Sequence, residues 1–261
     1  MAAIRLAGRG LLTKTPDDVV ILSAVRSPIT RAFKGGFSNA WPEDILGPVM
    51  RAAADRANIS TSDVNDVLIG NVLAELGFAK TGRMALNKCG FPVTTTFHTV
   101  NRQCASSLQA MTHVAHAIMA GQFDVGLAGG VESMTRNYGS RGVPTDVSPS
   151  LTTSAVKQAR DCLLPMGITS ENIATRYSIS RNDQDEFAYL SHQRAHAAQT
   201  RGRFDSEIIP ITYTIFGKDS EATAAVHVDK DDTIRANVTR EKLASLRPAF
   251  GEDGRSTAGN S

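Results

Sequence analysis

Short apolar runs alternate with helix-like stretches through the first half of the chain, and this alternation restricts the fold more than any other feature of the sequence. The runs at 67–71 and 96–100 are candidate strands. The stretch 106–120 places apolar residues at helical spacing and is followed by Gly121, a residue that commonly ends helices. Strands that alternate with helices in this way are typical of an α/β fold with a mainly parallel sheet.

The same patterns predict the other elements and the domain organisation. Further strands are expected at 19–24, 125–128, 207–213 and 224–228, and further helices at 42–57, 83–89, 170–177, 180–203 and 239–246. Residues 135–160 are rich in Ser, Thr, Gly and Pro, so we expect loop there with one short helix. The predicted domains are a flexible leader or targeting segment at 1–16, an α/β domain at 17–134, an inserted mixed loop subdomain at 135–235 and a return to the core at 236–261.

Composition excludes several classes of function. Lys and Arg number 28 against 26 Asp and Glu, and a net charge of +2 does not suggest a protein that binds nucleic acid. No apolar run approaches the roughly 20 residues that span a bilayer. The three cysteines, Cys89, Cys104 and Cys162, are too few and too widely spaced for a disulfide framework or a zinc knuckle. We therefore expect no metal site and a reducing compartment.

The N-terminal segment leaves two interpretations open. Residues 1–16 contain Arg5, Arg9 and Lys14 and no acidic residue. A basic leader without acids and with many small residues is typical of a transit peptide. The alternative is a frayed, solvated tail, which the same composition also allows.

Cys104 is the candidate nucleophile, because it stands where the strand at 96–100 gives way to the helix at 106–120. The first turn of a helix has unpaired N–H groups and a partial positive charge, which favour a thiolate over a thiol. A strand-to-helix turn also presents its side chain at the carboxyl edge of a parallel sheet, where ligand sites of α/β proteins lie. The alternative is that Cys104 is a small buried core residue, as many free cysteines are.

Five segments resemble motifs of the thiolase family, in the same order and spacing. They are Asn101 to Leu108, which resembles the acyl-enzyme cysteine motif; 26–29 with 34–37, which looks like the opening loop; 124–134; 164–172; and 246–250 with 257–260. The resemblance extends from residue 17 to residue 261. The pair Pro165-Met166 is most similar to the peroxisomal 3-ketoacyl-CoA thiolase branch of the family.

The resemblance implies a fold and a reaction. The fold would be the layered α/β/α arrangement of a thiolase N-terminal domain, with a mainly parallel sheet and an inserted loop subdomain. The reaction would be acyl transfer, in which the Cys104 thiolate attacks the keto carbon of a 3-ketoacyl-CoA and retains an acyl group as a thioester. Coenzyme A would be a co-substrate, and no cofactor would be permanently bound.

The resemblance also implies contacts with CoA, an assembly and a location. Met166 matches a residue beside the pantetheine arm, with core packing as the alternative interpretation. Arg235 matches a basic residue near the nucleotide end, with a solvated surface charge as the alternative. A homo-oligomer or an association with a full-length thiolase is expected. The expected location is the peroxisome, and the basic leader leaves the mitochondrion open.

Some features of the thiolase family are not found in this sequence. None of the six histidines lies in a Gly-His-Pro motif and no cysteine lies in a Cys-x-Gly motif. His113 and His116 lie more than two helical turns beyond Cys104, so we expect them at the surface. The resemblance thus implies that the C-terminal thiolase domain is absent. Three functions remain open: an acyltransferase, an impaired thiolase-like protein that binds CoA or a full-length relative, and a non-functional truncation.

Overall fold

The computed structural model describes residues 14–137 and 142–261, so most of the predicted leader lies outside the described residues. The helices in these two ranges are α1 (Pro42–Ala57), α2 (Ala79–Lys88), α3 (Ser106–Met119), α4 (Pro149–Thr152), α5 (Lys157–Asp161), α6 (Met166–Arg176), α7 (Arg181–Thr200) and α8 (Arg240–Ala244). The strands are β1 (Asp66–Gly70), β2 (Thr96–Val100), β3 (Gly126–Gly130), β4 (Ile211–Phe216) and β5 (Ala222–Val228). Short 3₁₀ helices lie at Thr61–Asp63 and Glu75–Phe78.

The first three strands form a parallel sheet in the order β2-β1-β3, which confirms the predicted α/β class. Gly70, the last residue of β1, pairs with Val100 of β2 and with Gly130 of β3. The carboxyl ends of the three strands therefore lie at one edge of the sheet. All five residues of β1 are buried, as expected for a central strand covered on both faces.

Helices cover both faces of this sheet. Val67 and Ile69 pack on one face in a core cluster with residues of α1 and α2. Leu68 faces the other way and packs against Ala110 and Val114 of α3. Full burial of an aliphatic side chain such as Leu68 stabilises the fold by about 1.5–3 kcal/mol. The sheet is thus the middle layer of an α/β/α arrangement, as the resemblance implied.

The strand predicted at 19–24 is wrong. Residues 19–24 are not in a strand, and Ile21 is 71% exposed. A strand is held by backbone hydrogen bonds to a neighbour. No strand in the described part of the chain pairs with this segment. Its apolar, β-branched composition therefore does not produce a strand in the described structure.

Other elements agree with the sequence apart from their boundaries. β4 begins at Ile211 rather than at residue 207, and Pro210 directly before it has no N–H to donate to a ladder. The described part of the loop expected at 135–160 contains all of α4 and most of α5, rather than one short helix. Helix α7 begins after Ser180, as predicted, because the Ser180 hydroxyl accepts the Asp183 N–H while the Asp183 carboxylate accepts the Ser180 N–H at 3.0 Å.

Contacts between Cα atoms divide the chain into two units. The first contains the residues up to Ser27, Ala40–Ser133 and Ile211–His227, and the second contains Pro28–Asn39, Met134–Pro210 and Val228–Ser261. The parallel sheet with α1, α2 and α3 lies in the first unit, and α4 to α8 lie in the second. These units are discontinuous, whereas the predicted domains are contiguous segments, so the predicted domain boundaries remain a prediction.

Candidate active site

Cys104 lies on the turn between β2 and α3. Its side chain is exposed, so the alternative interpretation of Cys104 as a buried core residue is wrong. Gln103, directly before it, has a φ of 52°, in the left-handed region that favours glycine. Non-glycine residues in this region cluster at functional sites, where the surrounding structure holds them in place. The thiol is therefore presented to solvent on a turn of defined conformation.

Two polar side chains hold this turn in place. The Asn101 Oδ1 atom accepts the Gln103 N–H at 3.0 Å. The Ser106 hydroxyl accepts the Arg102 N–H at 2.9 Å and donates to the Gln103 carbonyl at 2.6 Å. Ser106 is only 4% exposed, so the two hydrogen bonds of its hydroxyl are partly shielded from competing water. Each such bond contributes about 0.5–1.5 kcal/mol.

Two strand-terminal glycines allow α3 to start directly against the sheet. A Cβ atom on Gly70 would lie 2.6 Å from the backbone of Ser106 and Ser107. A Cβ atom on Gly130 would collide with the Ser107 side chain. The absence of side chains at both positions lets the first turn of α3 lie on the carboxyl ends of β1 and β3. This packing fixes where the helix begins, and with it the position of Cys104.

The start of α3 is electrostatically suited to an anion. Its N-cap residue is Ala105, whose side chain makes no capping hydrogen bond, and the first turn of the helix contains no acidic residue. The positive end of the helix dipole is therefore not offset by a carboxylate on that turn. Cys104 stands two residues before Ser106, at this end of the helix.

The other two cysteines are in different environments. Cys89 is half-buried; burial raises the pKa of its thiol to about 11, against the smaller lowering effects of a backbone hydrogen bond and of Arg51. A buried thiol of this kind is a poor nucleophile at neutral pH. Cys162 is exposed and follows α5, where its Sγ donates to the Gln158 carbonyl. Cys162 is therefore the internal reference for an exposed cysteine of the second unit.

Met166 and Arg235, the predicted CoA contacts, lie in the second unit, whereas Cys104 lies in the first. Met166 is the first residue of α6 and is 71% exposed, which rules out core packing as its role. Arg235 is exposed in the loop before α8. The roles of both residues in CoA binding remain predictions.

In the described residues the histidines do not form a metal site. The two histidines of α3 do not lie next to Cys104 as a base. His113 and His116 are exposed, as expected. Among residues 14–137 and 142–261, no three His, Cys, Asp or Glu side chains are grouped as metal ligands require. No helix in the same ranges is long and apolar enough to cross a bilayer.

Sequence reasoning missed several residues at this edge of the sheet. Asn71 follows β1 and is buried, and Glu132 follows β3 and is partly buried. The Glu132 carboxylate accepts the Val72 N–H at 3.0 Å and the Asn71 side-chain amide at 3.4 Å. The signal that would have identified them is their position, since each polar residue lies within two residues of the end of a parallel strand.

These layers and this exposed thiol define a class of protein: a layered α/β protein with an exposed cysteine at the start of a helix that follows a parallel strand. Comparison with known proteins identifies the family. Residues 19–261 match the family model described as "Thiolase, N-terminal domain". The chain therefore belongs to the thiolase family.

The relatives that the chain resembles are described as peroxisomal thiolases. It is 44% identical over 246 residues to 3-ketoacyl-CoA thiolase 1, peroxisomal, of Arabidopsis thaliana, covering 94% of this chain and 55% of that protein. It is 43% identical to the peroxisomal 3-ketoacyl-CoA thiolase of Homo sapiens, covering 94% of this chain and 56% of that protein. The chain thus spans about half the length of the curated relatives it matches.

Solved structures show the same fold. The chain matches the dimeric peroxisomal thiolase of Saccharomyces cerevisiae with a TM-score of 0.83 and 41% identity, covering 96% of this chain and 63% of that one. It matches the acetyl-CoA acetyltransferase of Bacillus anthracis with a TM-score of 0.79 and 35% identity, covering 94% of this chain and 62% of that one.

Proposed function

We propose that this protein takes part in CoA-dependent thiolytic cleavage of 3-ketoacyl-CoA, or the reverse condensation, with Cys104 as the nucleophile. The observation that carries the proposal is the exposed Cys104 thiol on a strained turn at the start of α3. Membership of the thiolase family and the names of the relatives supply the reaction class. A thiol at this position needs no side-chain movement to meet a substrate from solvent.

The proposed chemistry proceeds in two steps. The Cys104 sulfur forms a bond to the keto carbon, and the bond between that carbon and the α carbon breaks. The electron pair of the broken bond stays with the α carbon, which takes up a proton and leaves as acetyl-CoA. The thiolate of a second CoA then attacks the acyl thioester and restores the Cys104 thiolate, so two easier steps replace one difficult cleavage.

Two residues of the second unit are proposed to contact CoA. Met166 would contact the pantetheine arm and Arg235 the phosphates at the nucleotide end. CoA would act as a co-substrate without a permanently bound cofactor. By likeness to the relatives, the protein would form a homo-oligomer or associate with a full-length thiolase, and its location would be the peroxisome, with the mitochondrion as the alternative.

A second candidate function is left open by the sequence. No histidine of the 261-residue sequence lies in a Gly-His-Pro motif, and no cysteine lies in a Cys-x-Gly motif. The alternative is a catalytically impaired thiolase-like protein that binds CoA or a full-length thiolase.

Intact-mass measurement distinguishes the two. The purified chain would be incubated with acetyl-CoA and with acetoacetyl-CoA, and Cys104→Ser and Cys162→Ser would be treated in parallel. We expect a gain of one acetyl group in the wild type and in Cys162→Ser, and no gain in Cys104→Ser. Folded protein without any gain would contradict acyl transfer by this chain alone, and retention of CoA or of a full-length thiolase by that protein would support the alternative.

A further inference from the structure

Asn71 connects the ends of all three parallel strands in the first unit. Its backbone N–H donates to the Val100 carbonyl at the end of β2 at 3.2 Å. Its side-chain amide donates to the Val131 carbonyl just after β3 at 2.7 Å, and its Oδ1 atom accepts the Ala74 N–H at 2.9 Å. Asn71 is 3% exposed, so these bonds form out of contact with bulk water.

Glu132 holds the other side of the same loop. Its carboxylate accepts the Val72 N–H at 3.0 Å and lies 3.4 Å from the amide nitrogen of Asn71. Hydrogen bonds to a charged acceptor are about twice as strong as neutral ones. The backbone of residues 71–74 is therefore fixed by one amide and one carboxylate.

This loop contacts the turn that carries the nucleophile. The Val72 carbonyl accepts the Asn101 side-chain amide at 3.5 Å, and the Oδ1 atom of the same Asn101 accepts the Gln103 N–H. Gln103 is the residue in the left-handed region and directly precedes Cys104. A chain of hydrogen bonds thus runs from Glu132 through Val72 and Asn101 to the strained residue.

We propose that Asn71 and Glu132 are positioning residues for the Cys104 thiol. They hold the carboxyl ends of three strands and the 71–74 loop in one arrangement, and Asn101 transmits that arrangement to Gln103. Neither residue touches the reacting atoms. The inference rests on the proposed role of Cys104 as nucleophile, because only a reactive thiol requires a defined direction. Holding a reacting group within a fraction of an ångström has large effects on rate.

The rate at which Cys104 is alkylated tests the positioning role of Asn71 and Glu132 in the absence of CoA. Iodoacetamide would be added to the folded chain, and peptide masses would give the ratio of Cys104 to Cys162 labelling rates in the same molecules. Glu132→Ala and Asn71→Ala are expected to lower this ratio about tenfold. Glu132→Gln keeps an oxygen that can accept the Val72 N–H, so its labelling ratio is expected to stay within about threefold of the wild-type ratio. If the negative charge of Glu132 were all that mattered, Glu132→Gln would not retain the ratio.

Asp66→Ala is the matched control. Asp66 is buried on β1 and its carboxylate accepts the Thr96 hydroxyl at 2.6 Å, but it lies at the amino ends of the strands, away from Cys104. The Asp66→Ala substitution is expected to lower the free energy of unfolding without changing the labelling ratio. An unchanged or increased ratio in Glu132→Ala and Asn71→Ala would overturn the proposal, as would an equal fall in Asp66→Ala.

If Asn71→Ala and Glu132→Ala do not fold, Asn101→Ala still tests the proposal. Asn101 is exposed, and its removal cuts the link between Val72 and Gln103 while leaving the strand ends intact. Its labelling ratio is also expected to fall about tenfold, and an unchanged ratio in Asn101→Ala would overturn the proposal. Acetylation by acetyl-CoA is scored separately, so failure of the thiolase reaction and failure of the positioning role give different results.

Discussion

Gln103 adopts a backbone conformation that few side chains accept, one residue before the proposed nucleophile. Its φ of 52° is held by two hydrogen bonds: the Gln103 N–H donates to the Asn101 Oδ1 atom, and the Gln103 carbonyl accepts the Ser106 hydroxyl. A non-glycine residue in the left-handed region costs about 1–3 kcal/mol of strain. The conformation of this single residue sets the direction in which Cys104 leaves the turn.

Substitutions at Gln103 are expected to follow backbone preference rather than side-chain chemistry. Gln103→Val should lower the free energy of unfolding by about 1–3 kcal/mol, because a β-branched residue fits a positive φ poorly. Gln103→Gly should stay within about 1 kcal/mol of the wild type, because glycine adopts this region without strain. Urea unfolding of both variants checks this, and equal losses would show that the side chain and not the backbone matters.

Gly70 tests how closely α3 must approach the sheet. Gly70→Ala places a Cβ atom 2.6 Å from the backbone of Ser106 and Ser107. We expect a loss of about 1–3 kcal/mol from overpacking, together with slower alkylation of Cys104. Urea unfolding and labelling by iodoacetamide measure the two effects.

Gly129→Ala is the control for this substitution, because its Cβ atom would lie 3.7 Å from the Ile69 side chain, an ordinary contact. Gly129 is on the same sheet, in β3. It should change stability by less than the Gly70 variant and leave Cys104 labelling unaltered. Slow labelling in both variants would mean that any added methyl group in the sheet disturbs the turn.

Helix α6 is held to the segment around residue 255 by the carboxylate of Glu171. Glu171 accepts the N–H groups of Arg255 and Ser256 at 2.7–3.0 Å, all within the second unit. Desolvation opposes ionisation of Glu171, but these backbone N–H groups, the Ser256 hydroxyl and the charge of Arg255 outweigh it and lower its pKa. The carboxylate thereby fastens the segment around residue 255 to α6.

The lowered pKa sets the sign of a pH effect. A carboxyl with a lower pKa in the folded state stabilises the protein above its unfolded pKa of about 4.3, and this stabilisation is lost as pH falls through the folded pKa. Glu171→Gln should therefore be less stable than the wild type near neutral pH, by an amount that solvent screening keeps small. The difference should shrink as pH falls below about 4.3.

Urea unfolding across this pH range measures the difference between the two proteins. Glu252→Gln changes an exposed carboxyl on a neighbouring loop and serves as the control. It should show little difference from the wild type at any pH. A Glu171→Gln difference that does not depend on pH would contradict a contribution from the ionised carboxylate.

For the whole molecule, the balance of charge and the family relationship bear on what the protein binds. With 28 basic and 26 acidic residues, general attraction to a polyanion is weak, so the proposed recognition of CoA phosphates would depend on particular residues, of which Arg235 is the one proposed. Arg235 and Met166 are exposed in the second unit, as ligand contacts from solvent require.

Binding of CoA should therefore raise the stability of the folded chain. At a CoA concentration of about 100 times Kd, the stabilisation should be about 2.7 kcal/mol. Arg235→Gln should reduce the shift in Tm by weakening CoA binding, whereas Arg201→Gln, which changes another exposed arginine of the second unit, should not. Thermal unfolding with and without CoA measures the shift, and equal shifts in the wild type and Arg235→Gln would remove Arg235 from the proposed site.

Much of the secondary structure could be predicted from sequence because its signals are local. The helix at 106–120, the strands at 67–71 and 96–100, and the N-cap Ser180 follow from side-chain periodicity and capping chemistry, which act between near neighbours in the chain. Residues 19–24 carry the same kind of strand signal, but a strand also needs a partner that composition does not specify.

The sequence by itself determined the α/β class, the family and the identity of Cys104 as the candidate nucleophile. These depend on residue types and on their order along the chain. Only the tertiary structure decided that Cys104 is exposed, that Gln103 is strained and that Asn71 and Glu132 meet at the carboxyl edge of the sheet. Asn71 and Glu132 are about 60 residues apart, and their contact arises because parallel strands bring distant residues to one edge.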